Sequence, residues 1–492
     1  MKKTEINLIP DIVNPSPDYY CTWQTQLFAT CDGKPAGQRA ILGENALFST
    51  EKPFGWAHFY EKARGDLFFV MDDSWDVPLD GNPAYFGSLI LNREKFPEHT
   101  RGRNNVEALR SLVDTFENMG WKGLGGWVCA QEAPLNAQNP DEYWKEKLSD
   151  MHSSGFSYWK VDWGKKGTNF AFRKMLTEQA RHYAPDLILE HAIVKDIIPH
   201  SDIFRTYDVP AIMSIPMTMQ KITEFSDIPA PIDDNLGLIN CEDEAYIAAA
   251  GGFTMGVMRH PYCGSFIDSN PDMSFPTLHR NLKTKMYEII RAVRWHRIAP
   301  AFSFCGADLT IDNNSLHDTW HFEDVSAEIE SWWLNMPLIA EHMKNNVLHK
   351  EAPAAIARNT SLPEIQADEN GYIPYCVVSQ NPNGAFSVAT LGRTINREYF
   401  IPQCNVTVDA KASTLIGVFG EYKNLILKIS CPSITQVFMQ DLADDNAFDV
   451  TDLVTITENQ IAIPGELISR IGTSVQPKED TSEPGVVVHL CI

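Results

Sequence analysis

Tyr158-Trp159-Lys160-Val161-Asp162-Trp163-Gly164 puts a lysine and a carboxylate two residues apart at the end of an apolar run. If the run is a strand, Lys160 and Asp162 share one face and Val161 takes the other. An ammonium beside a carboxylate favours the ionised carboxylate. The flanking aromatic rings suit a sugar or another ring-shaped ligand. An ionised aspartate in a partly apolar pocket is what a nucleophilic carboxylate requires.

The same pattern recurs on both sides. Upstream, Leu67 to Met71 is a continuous apolar run ending in Asp72-Asp73, as suits a strand covered on both faces. Val106, Leu109, Leu112, Val113 and Phe116 then have helical spacing, with Gly120 at the stop signal. A strand is expected over Gly123 to Cys129. Asn139-Pro140-Asp141 opens a further helix with a capping residue, a proline and an acid in order. The strand Phe156 to Val161 follows, then a helix from about Asn169 to Tyr183 and the apolar run Leu187 to Leu189, ending in Glu190-His191. Ile203-Phe204 leads to Arg205 and Asp208. Gly237 to Asp243 and Phe253 to Met258 supply the last strands, and Met286 to Ile298 a helix behind them. The repeat of about thirty residues is that of a βαβ unit. Counted from Tyr20-Cys21-Thr22-Trp23, there are about eight strands, several ending in polar residues, which favours a closed (β/α)8 TIM barrel with its site at the carboxyl ends.

After about residue 365 the texture changes. Tyr372 to Val378, Ala385 to Leu391, Thr414 to Phe419 and Leu425 to Ser430 are short β-prone runs separated by turn residues. This predicts a C-terminal antiparallel β-sandwich domain over 366–492. Residues 1–365 then form the α/β barrel with an N-terminal extension and linking helices, Trp320, Trp332 and Trp333 among the latter.

Composition bounds the partners. Of 492 residues, 44% are hydrophobic and 21% charged, the balance of a folded globular protein. The net charge of −23 argues against nucleic acid and against anionic membrane surfaces. The two N-terminal lysines are followed by no apolar h-region. The ten cysteines include no Cys-x-x-Cys pair, and scattered thiols of this kind point to a reducing cytoplasm. A net charge of this sign suits a neutral or cationic ligand without identifying one; no cofactor and no metal are expected, and a homo-oligomer stays open.

These motifs together resemble the retaining α-galactosidase clan, glycoside hydrolase family 27 and its family 36 relatives. Asp72-Asp73-Ser74-Trp75 is similar to that clan's Asp-Asp-x-Trp motif, followed by Phe96-Pro97. Tyr158, Lys160 and Asp162 match its Tyr-x-Lys-x-Asp strand. Arg205 and Asp208 match an arginine that precedes the acid/base aspartate. The chain departs from the pattern in three places. One residue fewer separates Arg205 from Asp208, which leaves Asp202 as a fallback acid. Ser74 replaces a cysteine, and the Trp-Asn-Asp-Pro-Asp type segment is missing near Asn240 to Glu244.

The resemblance implies double displacement, with Asp162 as nucleophile and Asp208 as acid/base. Asp72, Asp73 and Lys160 would bind sugar hydroxyls, and Arg205 a hydroxyl or Asp208. Glu190 is expected at the ligand or behind it, and Trp127 and Trp23 in stacking or core positions. The partner implied is a small oligosaccharide or glycoside ending in α-D-galactose, N-acetylgalactosamine or β-L-arabinopyranose. Two rivals remain at this stage. A metal-dependent hydrolase would use Asp72, Asp162, His191 and Asp208, although Lys160 would repel the cation. A non-catalytic carbohydrate-binding barrel is the other. His317 and His321 have ligand-like spacing but lack the glutamate of a metalloprotease helix, and are read as a surface pair.

Overall fold

The computed structural model describes residues 2–23, 25–26, 39–51, 54–77, 87–131, 139–207, 213–258, 285–321, 343–344, 347–430 and 434–491. Asp208, Trp332 and Trp333 lie outside them.

Eight short strands form the barrel: β1 (Tyr19–Cys21), β2 (Phe68–Met71), β3 (Gly123–Val128), β4 (Tyr158–Val161), β5 (Ile188–His191), β6 (Ile203–Arg205), β7 (Leu238–Asn240) and β8 (Gly256–Val257). From β1 to β7 each strand pairs in parallel with its neighbour in sequence. The ring closes where Tyr19 meets Gly256 and where Asn240 bridges Thr254. This is the parallel (β/α)8 topology that the sequence pattern predicts.

Helices cover the outside: α1 (Asn105–Asn118), α2 (Pro140–Ser154), α3 (Phe170–Tyr183), α4 (Ser214–Thr223), α5 (Ala245–Gly251) and α6 (Met286–Ile298). Their starts are encoded locally. The Asn104 side chain accepts from the Glu107 amide while the Glu107 carboxylate accepts from that of Asn104, a reciprocal cap. Asn139 and Asn169 cap α2 and α3 in the same sense.

The strand period of two decides what faces inward. Tyr158 and Lys160 point into the barrel, while Trp159 and Val161 join the large apolar layer beneath the helices. Tyr19, Phe68, Val70, Tyr158, Ile203 and Leu238 fill the lower interior. Gly125 makes room for them: a Cβ there would lie 2.5 Å from that of Tyr158.

The C-terminal part packs two sheets around an apolar core made mostly of Val, Ile, Leu and Ala. The nine-stranded sheet runs, in spatial order, through Lys2–Lys3, Phe448–Asp449, Gln436–Asp441, Gly485–Cys491, Leu415–Phe419, Phe386–Leu391, Tyr375–Gln380, Ala355–Arg358 and Leu309–Ile311. The second sheet has five strands, centred on Asn424–Ile429. Most pairs are antiparallel, with parallel pairs such as Phe386–Leu391 beside Leu415–Phe419. Several strands of the first sheet thus come from before residue 366.

One sequence expectation is corrected here. Trp320 sits in a strand, Ser315–His321, paired with Val347–Pro353, and not in a linking helix. Burial along it alternates, with Asp318 and Trp320 inside. The inward aspartate hid the strand pattern; it is held by Arg393, Tyr375 and the Thr394 amide. His317 and His321 are exposed on the other face, and His317 lies 3.8 Å from Glu351.

Candidate active site

Charged side chains from β2, β4, β5 and β6 converge inside the barrel: Asp72, Lys160 with Asp162, Glu190 and Arg205. Asp162 follows β4 directly. Its Oδ1 accepts from Nη2 of Arg205 at 2.8 Å, and its Oδ2 from the indole N–H of Trp127 at 2.9 Å. Arg173 of α3 donates to the Asp162 carbonyl at 2.7 Å and fixes the backbone. Burial would raise the carboxyl pKa. The charges of Arg205 and Lys160 and the Trp127 donor outweigh it, so Asp162 lies below the usual carboxylate range. Its side chain keeps 11% exposure, against 2% for Arg205 and Lys160 and 3% for Asp72, so Asp162 is the most open of the four to a ligand.

Lys160 is arranged differently from the sequence expectation. Its ammonium donates to Asp72 across the barrel at 2.6 Å, so Asp162 takes Arg205 as its ion-pair partner. Spacing on one strand shows only that Lys160 and Asp162 share a face. The closed barrel brings Asp72 nearer. Asp72 also accepts from the Cys21 thiol at 2.9 Å and, through Oδ1, from the Asp73 amide at 2.8 Å.

Asp73 is clamped by Arg39, whose Nε and Nη2 both donate to Oδ2, at 2.8 and 2.6 Å. Burial nevertheless raises its pKa to about 6, with Arg39 opposing. Asp76 is raised to about 6 by burial, against the Leu89 amide that donates to it.

Beneath Arg205 lies Glu190, 1% exposed. It accepts from the hydroxyls of Tyr19 and Tyr158 and from the Asn240 amide, and stands 3.6 Å from Nη1 of Arg205. Glu190 therefore lies behind the Arg205–Asp162 pair and supports Arg205. The guanidinium also lies over the Tyr207 ring at 5.0 Å. Ser74, Tyr207 and Glu242, each just beyond a strand end, have positive φ. Strained backbone of this kind clusters at functional rims.

The remaining candidates separate clearly. Trp127 is buried and serves Asp162 as a donor. Trp23 is half-buried against the barrel interior. His191 points outward from β5 to Arg173 and Thr177, so it cannot join Asp72 and Asp162 around a metal. Asp202 precedes β6 at the opposite end of the barrel, where Arg181 and the Leu189 amide hold it; the fallback acid is thereby removed from the rim. Arg39, Cys21, Tyr19 and Asn240 were not singled out by sequence reasoning. A lone Arg39 in a polar segment carries no local signal.

No family model matches the chain, and no curated protein does. Solved structures similar to it include a family 27 β-L-arabinopyranosidase from Geobacillus stearothermophilus, 11% identical over 98% of this chain and 96% of that one, at a TM-score of 0.37. A family 36 α-galactosidase from the same organism is 14% identical over 36% of this chain and 28% of its own, at 0.24. An α-amylase from Geobacillus thermoleovorans is 8% identical over 98% and 100%, at 0.39. At these values the likeness adds nothing to the barrel topology, which stands on the strand register itself.

Proposed function

We propose that this chain is a retaining exo-glycoside hydrolase acting on terminal α-D-galactosyl or closely related residues. The observation that carries the reading is the setting of Asp162: an ionised carboxylate at a barrel strand end, gripped by Arg205 and Trp127 and still open to a ligand. The resemblance of Asp72-Asp73, Lys160-x-Asp162 and Arg205 to the α-galactosidase pattern supplies the sugar class.

In the first step a carboxylate oxygen of Asp162 forms a bond to the anomeric carbon as the glycosidic bond breaks. The leaving oxygen takes a proton from the acid, assigned to Asp208. Asp208 then removes a proton from the water that hydrolyses the ester. Lys160 and the Asp72 and Asp73 carboxylates contact ring hydroxyls, and Arg205 keeps the nucleophile charged. α-N-Acetylgalactosamine and β-L-arabinopyranose share much of the ring shape and hydroxyl pattern and belong in the substrate panel.

The test is the stereochemistry of 4-nitrophenyl α-galactoside hydrolysis followed by proton NMR. The α-anomer should form first. Asp162→Ala should lose turnover, and azide should restore it as the β-galactosyl azide. An inverted first product, or full activity in Asp162→Ala, would sink the assignment.

A further inference from the structure

Trp163 follows the proposed nucleophile directly in the chain. It is 39% exposed. Trp56, Trp75, Trp121, Trp127, Trp144, Trp159, Trp295 and Trp320 are all buried. A single exposed aromatic means little by itself. Its position gives it meaning here. The Trp163 ring lies 5.9 Å from that of Trp127 at 59°, and the Trp127 indole N–H bonds the Asp162 carboxylate. The partly exposed ring is thus one aromatic side chain away from the reacting oxygen.

The backbone fixes that placement. The Trp163 carbonyl accepts from the Ala130 amide at 3.0 Å and from the Cys129 thiol at 3.4 Å, so the residue is tied to the end of β3. The chain then turns away at Gly164, with φ 149°, where a Cβ would lie 2.3 Å from the Ala130 carbonyl oxygen. Only glycine fits that turn, and the turn leaves the tryptophan at the lip.

We propose that Trp163 is the platform for the leaving group, selecting substrates whose aglycone presents a flat apolar face: an aryl group or the carbon face of a second sugar ring. The proposal rests on Asp162 being the glycosidic nucleophile. It goes beyond that reading by assigning the far side of the scissile bond. The covalent intermediate no longer carries the aglycone. The platform therefore acts on ester formation, reported by kcat/KM, and not on ester hydrolysis.

The experiment compares wild type, Trp163→Ala and Trp163→Phe on two substrates with the same sugar. 4-Nitrophenyl α-galactoside has an aglycone ring; α-galactosyl fluoride has none. Trp163→Ala should lose roughly three- to tenfold in kcat/KM on the aryl galactoside and nothing on the fluoride, and Trp163→Phe should recover most of the loss. Equal losses on both substrates, or none on either, would overturn the platform. If wild-type protein hydrolyses neither these nor the corresponding arabinosides and N-acetylgalactosaminides, the nucleophile assignment fails first and the platform falls with it.

Discussion

The barrel and the C-terminal sheets bury their residues on opposite terms. The upper barrel interior encloses Lys160, Asp72, Arg205, Glu190 and Asp162, each charge matched to a partner within 3.6 Å. The core between the C-terminal sheets is apolar and mostly aliphatic. Buried ion pairs recover little of their desolvation cost, whereas apolar burial stabilises at about 25 cal/mol per Å². The difference teaches which part holds the fold and which part gathers charge at the candidate site. The two are joined by buried polar contacts: Arg291 with Asp441, and Arg358 with the carbonyls of Gly251 and Gly252.

The contrast breaks most sharply at Asp162. Asp162→Ala should lower kcat/KM on the order of 10⁴-fold while melting within a few degrees of wild type. Large unfolding instead would mark Asp162 as structural. In the sheets the roles reverse. Leu427 is fully buried, and Leu427→Ala should cost about 2–5 kcal/mol in urea unfolding, with kcat/KM of the folded protein unchanged.

Arg205→Gln comes next. Burial would then be opposed only by Lys160, the Trp127 donor and Arg173, and the Asp162 pKa would rise. The acid limb of the kcat/KM profile should move to higher pH, with a loss of about ten- to a hundredfold. A profile that keeps its acid limb would separate Arg205 from the charge on Asp162. The same pair bears on stability: because Arg205 depresses the folded pKa, its contribution is present above the unfolded value and is lost as pH falls through the folded one.

The smallest effect concerns Asp76, whose pKa moves the other way. The folded value is about 6, and the unfolded value about 3.9. Between these values the folded state holds a proton that the unfolded chain releases, so this group makes the protein less stable as pH rises from about 4 to 6. Asp76→Asn should gain about 1–2 kcal/mol relative to wild type at pH 8 compared with pH 4.5. Equal differences at both pH values would show that Asp76 carries no buried charge.

The sequence made the scaffold legible where local rules act. Asn139-Pro140 and Asn169 mark helix starts, and the apolar run ending in Asp72-Asp73 marks β2 and its rim. The inward face shared by Lys160 and Asp162 follows from period two alone. Partners across the barrel were not legible. Lys160 meets Asp72 rather than its strand neighbour Asp162, and Glu190 collects Tyr19, Tyr158 and Asn240 from three other strands. Such pairings depend on ring closure, which no local pattern encodes. The strand around Trp320 was missed for a related reason: an inward Asp318, neutralised by Arg393 from a distant strand, reads as polar sequence.

The most direct measurement is the site of covalent trapping. The protein is incubated with a 2-deoxy-2-fluoro-α-galactosyl fluoride, or its 5-fluoro counterpart, and digested for peptide mass spectrometry. The account predicts one fluoroglycosyl ester, on Asp162, formed in step with loss of activity and absent in Asp162→Ala. A label on any other carboxylate, or an active enzyme that forms no ester and inverts the anomeric centre, would contradict it.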